Sequence, residues 1–186
     1  MTKKKIEKDY SDCWMYILIL TVLVILMESL KNYTFVVGGV NLTYALFLMP
    51  LMYFLVNFIT KKYDYKKGVA AIAISGVIFV CFIAIMSFAM GEKLILGNIS
   101  GEFCAYVISQ FVNLTLYVFL LKNTKFPVQL IVLNYMFSLI VYYLFYTLIN
   151  LQVIVLDGYW TGYFITLGIQ FIIVLILSFI DKRIKE

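Results

Sequence analysis

Six apolar segments, each about as long as a bilayer is thick and separated by short polar or basic stretches, leave this chain very few possible folds. The segments lie at residues 14–30, 43–60, 69–90, 102–121, 127–150 and 160–180. Crossing a hydrocarbon core of about 30 Å takes roughly 20 residues of helix. Inside lipid every backbone N–H and C=O must find its partner within the segment, which makes such runs helices. Barrel strands would be shorter and would alternate, and these runs do not. Of the 186 residues 64% are hydrophobic, and the mean hydropathy is +0.99. A water-facing globule of this size leaves too much surface exposed to hide that surplus. The expected fold is therefore all-α, one polytopic domain of six transmembrane helices.

The charges give the helices direction. Lys3, Lys4, Lys5 and Lys8 precede the first segment. Lys61, Lys62, Lys66 and Lys67 lie between the second and third, and Lys122 and Lys125 between the fourth and fifth. Lys182, Arg183 and Lys185 follow the sixth. Of the fifteen basic residues only Lys31 and Lys93 fall on the other side. Lys and Arg concentrate in cytoplasmic loops, so both termini are expected in the cytoplasm. The net charge of +5 thus comes from membrane-flanking clusters. A nucleic-acid binder would spread its basic residues over a folded face, and no nucleic acid is expected as a partner. The opening Met-Thr-Lys-Lys-Lys is read as the lead into a retained first helix, because no small-residue cleavage site follows the apolar run.

Composition also removes chemistry. There is no histidine, the commonest metal ligand and the usual base at neutral pH. Cys13, Cys81 and Cys104 are too few and too scattered for a disulfide framework. No phosphate-binding glycine loop and no nucleophile–base pairing is visible. No catalytic residue, metal or cofactor is assigned. Short loops leave no room for a soluble domain, so function has to reside in the helices. The longest connection on the Lys31 side runs to Leu42, and its Gly38-Gly39 pair predicts a turn.

Polar side chains in hydrocarbon are costly, so each asks for a reason. Glu102, Tyr106, Gln110, Asn113 and Tyr117 follow one another at spacings of 4, 4, 3 and 4 residues, with Ser109 at the edge. At 3.6 residues per turn they share one face of the fourth helix. The row suits either interhelical hydrogen bonding or a face that lines a substrate. Amides and tyrosines match the edge and face of a flat heterocycle. Asn134, Ser138 and Tyr142 repeat every four residues on the fifth helix, with Tyr135, Tyr143 and Tyr146 nearby. There aromatic packing is the plainer reading. Asn57 and Gln170 read singly as packing groups. Glu28 and Lys31 read as a solvated i, i+3 pair, and Glu102 as an acid at a helix start. Gly162, Thr166 and Gly168, and Ala70 to Gly76 on the third helix, read as close-packing positions.

The stretch from Tyr44 through Pro50, Tyr53, Asn57, Thr60, Tyr63, Asp64, Tyr65, Lys66 and Lys67 resembles the signature of the queuosine-precursor transporter family. Lys31 and Gly38-Gly39 upstream match that pattern, and so does the stretch Ala105, Tyr106, Ser109, Gln110, Asn113 downstream. The likeness runs in order through most of the chain. It implies a six-helix importer of 7-deazaguanine bases in a bacterial plasma membrane. It departs from the pattern where Asn57 replaces an Asp and Lys61 a Glu, and at Gln129, Tyr142 and Leu26. A carboxylate would suit the two N–H donors of a guanine-like edge, whereas Asn57 offers one acceptor oxygen. Row and resemblance together nominate Tyr53, Asn57, Tyr106, Gln110, Asn113 and Asn134 as substrate-binding. Besides lipid and a small-molecule substrate, a second copy of the chain or an energising partner is compatible. Two other functions remain open. One is the substrate-binding subunit of an energy-coupling-factor transporter, although residues 14–30 hold no Ala or Gly for docking. The other is a non-transporting assembly or immunity protein, which would keep the polar face of the fourth helix occluded.

Overall fold

The computed structural model describes residues 3–89, 96–121, 127–150 and 159–183, with side chains for 12–89, 101–121, 127–148 and 161–183. Lys93, Lys122, Lys125 and Lys185 lie outside the described residues. Among the described residues there are six long helices: α1 Lys3–Leu30, α2 Leu48–Lys62, α3 Tyr65–Ala89, α4 Leu96–Leu121, α5 Val128–Asn150 and α6 Tyr159–Arg183. Each is long and apolar enough to cross a membrane, α2 together with the turn that precedes it. Large apolar side chains point outward along their length, Phe164 at 72% exposure and Phe119 at 65% among them. Water would penalise such a surface and lipid does not. The chain is a multi-pass membrane protein.

The helices outrun the apolar segments. α1 starts at Lys3, α4 at Leu96, and α6 continues to Arg183. Hydropathy registers only the hydrocarbon slab, and a helix has no reason to stop at its edge. The second segment departs the other way. A 3-10 turn, Tyr44–Phe47, leads into α2, and the Thr43 hydroxyl accepts the Ala45 N–H to cap it. Pro50 stands third in α2, where its missing N–H would have had no helical partner.

The Lys31–Leu42 connection is an ordered hairpin. β1 Thr34–Val37 pairs antiparallel with β2 Val40–Thr43, Thr34 opposite Thr43 and Val37 opposite Val40. Gly38 and Gly39 have φ of +60° and +81°. Positive φ at both central residues is the I′ turn, whose twist matches that of the strands.

α2 is the central helix: 61% of its span is buried, against 22–39% for the other five. It packs on α1, α3, α4, α5 and α6. Small residues of α3 let α4 approach, with Gly76 facing Phe103 and Ser75 bonding the Tyr106 hydroxyl at 2.7 Å. The two ends of the bundle differ. One carries Lys61, Lys62 and the end of α6. The other carries the hairpin, the end of α1 and Glu102 near the start of α4, joined by Lys31.

Candidate functional site

A cavity of about 560 Å³ opens at the hairpin end. Its roof is residues 39–43 of the hairpin, and Ala45, Leu46 and Met49 form its floor. α5 contributes Tyr142, Tyr143 and Tyr146, and α6 contributes Gly162, Tyr163 and Thr166. The four tyrosines form one array. Tyr142 and Tyr146 lie 6.0 Å apart with 22° between their planes. Tyr143 meets Tyr142 edge-on at 5.4 Å and Tyr163 at 5.1 Å. Gln170 pins the array from below, its Nε2 donating to the Tyr143 hydroxyl and to the Leu46 carbonyl, each at 2.9 Å. Thr147 and Tyr163 share a hydroxyl contact.

An ionic group completes the wall. Lys31 Nζ donates to Glu28 Oε1 at 2.8 Å and to both Glu102 oxygens at 2.8 and 2.9 Å. The expectation of a solvated Glu28–Lys31 pair is corrected: the side chains of Glu28 and Glu102 are 17% and 12% exposed. Glu102 is not a helix-start acid either, since α4 begins six residues earlier. Burial draws the Lys31 ammonium down, but the Glu102 and Glu28 carboxylates outweigh it and hold its pKa above that of an ordinary lysine. One ammonium faces two carboxyl groups, so the wall holds more acidic than basic side chains.

None of the six nominated residues lines this cavity. All six are buried among the helices, Tyr106 against α3. The amides of Asn57 and Asn113 bond reciprocally, at 3.2 and 2.9 Å. Asn134 Nδ2 donates to Asn113 Oδ1 at 2.9 Å and to the Asn113 carbonyl at 3.3 Å. Tyr53 donates its hydroxyl to the Ser138 carbonyl at 3.1 Å, and Tyr106 pairs with Ser75. Gln110 is fully buried, and neither of its amide atoms has a partner among the described residues. The row on α4 therefore divides: Glu102 opens on the cavity, and Tyr106, Gln110, Asn113 and Tyr117 face neighbouring helices. The family departures divide too, since Tyr142 stands in the cavity wall while Leu26 and Gln129 face outward.

Sequence reasoning missed two parts of the site. The hairpin had a signal, a Gly-Gly pair between runs rich in β-branched residues. The Lys31–Glu102 bond joins positions 71 apart and had none. Gly162 and Thr166, expected only to pack, line the cavity. Asp181 was not singled out at all. It sits at the opposite end, 1% exposed, with its Oδ1 accepting the Tyr117 hydroxyl at 2.7 Å and lying 3.8 Å from Lys61 Nζ.

No protein-family model, curated protein or solved structure matches the chain. The chain is a membrane bundle with an aromatic and acidic cavity at one end.

Proposed function

We propose that the chain is a small-molecule importer of a bacterial plasma membrane. Its cavity takes a flat nitrogen heterocycle, a 7-deazaguanine queuosine precursor or a close analogue. The cavity carries the reading. Its volume is within the range of small-molecule sites, which are mostly apolar with a few placed polar groups. Tyrosine faces stack on planar rings, more strongly when the ring carries positive charge. A carboxylate accepts two adjacent N–H donors side by side. Glu102 uses both oxygens on Lys31, yet two carboxylate oxygens hold about four lone-pair sites, which leaves capacity for a ligand edge. The acid that a guanine-like edge asks for, absent at Asn57, is thus supplied from α4. The basic clusters favour the cytoplasm for the opposite end, which would turn the hairpin end outward, where an importer meets its substrate. The buried amides of Asn57, Gln110, Asn113 and Asn134 then form the inner half of the route, closed in this conformation.

Binding of 7-cyano-7-deazaguanine to the protein in nanodiscs tests the site. Wild type should bind, and Tyr142→Ala and Glu102→Gln should each weaken binding by about tenfold or more, the loss of one good stacking or charged contact. Unchanged affinity in both variants would reject the cavity. Absence of binding, together with no uptake by cells lacking their own importer, would reject the substrate class. Occlusion of the lower α4 face favours the non-transporting reading, but the cavity beside Glu102 is unexplained by it. The packed core under the cavity also suits a binding subunit worked by a partner, and recovery of an ATPase module in a pull-down would favour that reading.

A further inference from the structure

We infer that Tyr143 is the residue that reads a ring carbonyl of the ligand, its hydroxyl proton kept available by Gln170. The inference rests on the heterocycle reading above and sharpens it: the site selects a lactam, a ring N–H beside a C=O.

The direction of the hydrogen bonds carries the argument. Gln170 on α6 is fully buried, and its Nε2 donates to the Leu46 carbonyl and to the Tyr143 hydroxyl, each at 2.9 Å. A backbone carbonyl can only accept. The nitrogen of the amide therefore faces Leu46, which removes the usual ambiguity between the two ends of a glutamine. The opposite orientation would set two oxygens against each other. Oε1 is buried without a partner, so the fold satisfies the donor end of this amide and not the acceptor end. Because Nε2 has only protons to offer, the Tyr143 oxygen accepts from it. The O–H of Tyr143 is left to donate, and among the described residues it has no acceptor.

The hydroxyl belongs to the cavity. Tyr143 lines it, and the nitrogen that holds Tyr143 also holds Leu46, a floor residue. The ring is fixed. It lies edge-on to Tyr142 and to Tyr163, at 79° and 78° between planes. The Thr147 and Tyr163 hydroxyls donate to the Tyr143 backbone carbonyl at 2.6 and 3.2 Å. A donor held this way is preorganised for an acceptor. Other donors in the wall are already engaged, Lys31 with the two carboxyl groups and the Thr43 hydroxyl with the Leu30 carbonyl. The Asn41 amide offers a donor and an acceptor alike and favours neither. Acceptors on Glu102 and a donor on Tyr143 complement a ring that carries both N–H groups and a carbonyl oxygen. A ring amine in place of that oxygen would meet the tyrosine donor to donor, and sites built around a hydrogen bond reject such a mismatch strongly.

The test is binding of two probes to the protein in nanodiscs: 7-cyano-7-deazaguanine and its 6-thione counterpart. The thione keeps the ring N–H groups and replaces the oxygen with sulfur, a weak acceptor. Wild type should bind the oxo probe about tenfold or more tightly than the thione. Tyr143→Phe should bring the ratio of the two affinities close to one. It removes a hydroxyl and leaves Gln170 its Leu46 bond. Gln170→Leu should lower the ratio too, because the Tyr143 proton is then free to turn to the vacated Leu46 carbonyl. The ratio separates reading from packing, since a packing defect weakens both probes alike. A wild-type ratio in either variant, or a ratio near one in wild type, overturns the inference and leaves the heterocycle reading standing. If wild type binds neither probe, the heterocycle reading falls and this inference with it.

Discussion

Asn113 ties three helices together with one side chain. Its amide bonds Asn57 on α2 and Asn134 on α5, and its Nδ2 also reaches the Tyr53 carbonyl at 3.4 Å. Replacing it with leucine leaves the Asn57 amide buried and unsatisfied, while Asn134 keeps only its bond to the backbone carbonyl of residue 113. Stranding such groups costs about 1–3 kcal/mol. Asn113→Leu should lower the thermal midpoint in detergent by several degrees, and an unchanged midpoint would show that the amides carry no load. A double-mutant cycle with Asn57→Leu should give a coupling of roughly 0.6–1.7 kcal/mol, the span found for interhelical bonds in a membrane bundle. Gln110, one turn away, has no partner to lose, so Gln110→Leu should leave the midpoint unchanged or raise it.

Among the elements, the hairpin is the piece whose local chemistry matters most to the site. Its turn requires left-handed backbone at two successive positions. A β-branched residue there costs about 1–2 kcal/mol each. Gly38→Val/Gly39→Val should loosen the cavity roof and weaken heterocycle binding, while the helical circular dichroism stays unchanged. Equal affinity would show that the roof takes no part. The six helices were legible in the sequence because lipid imposes one rule on every residue they contain. The polar row on α4 was legible because 3.6-residue periodicity is local. What faces that row was not, since Ser75, Asn57 and Asp181 arrive from other helices through packing. Tyr142 illustrates the limit: its spacing from Ser138 placed it on a polar face, but only the position of α6 and the hairpin makes that face a wall. Asp181 carried no signal in the sequence, because Tyr117 and Lys61 reach it only through packing.

At the scale of the whole molecule, the described basic residues Lys61, Lys62, Lys182 and Arg183 and the hairpin sit at opposite ends, and the orientation is open to labelling. Val36 and Tyr65 are exposed, at 66% and 45%. Val36→Cys should react with a membrane-impermeant maleimide on intact cells, in a background where the native cysteines are replaced. Tyr65→Cys should react only after permeabilisation. The reverse pattern would invert the import direction. The 3-10 turn before α2 has one more consequence. At about 2 Å rise per residue its four residues span roughly 8 Å, and the cavity floor at Leu46 and Met49 lies on this turn and at the start of α2. Were water to fill a pit of about 8 Å there, it would thin the insulating layer from about 30 Å to about 22 Å. The electrical potential of an energised cell then drops over a shorter path, with a field steeper by about a third, and the residues that bear it are those from Tyr53 down to Asp181.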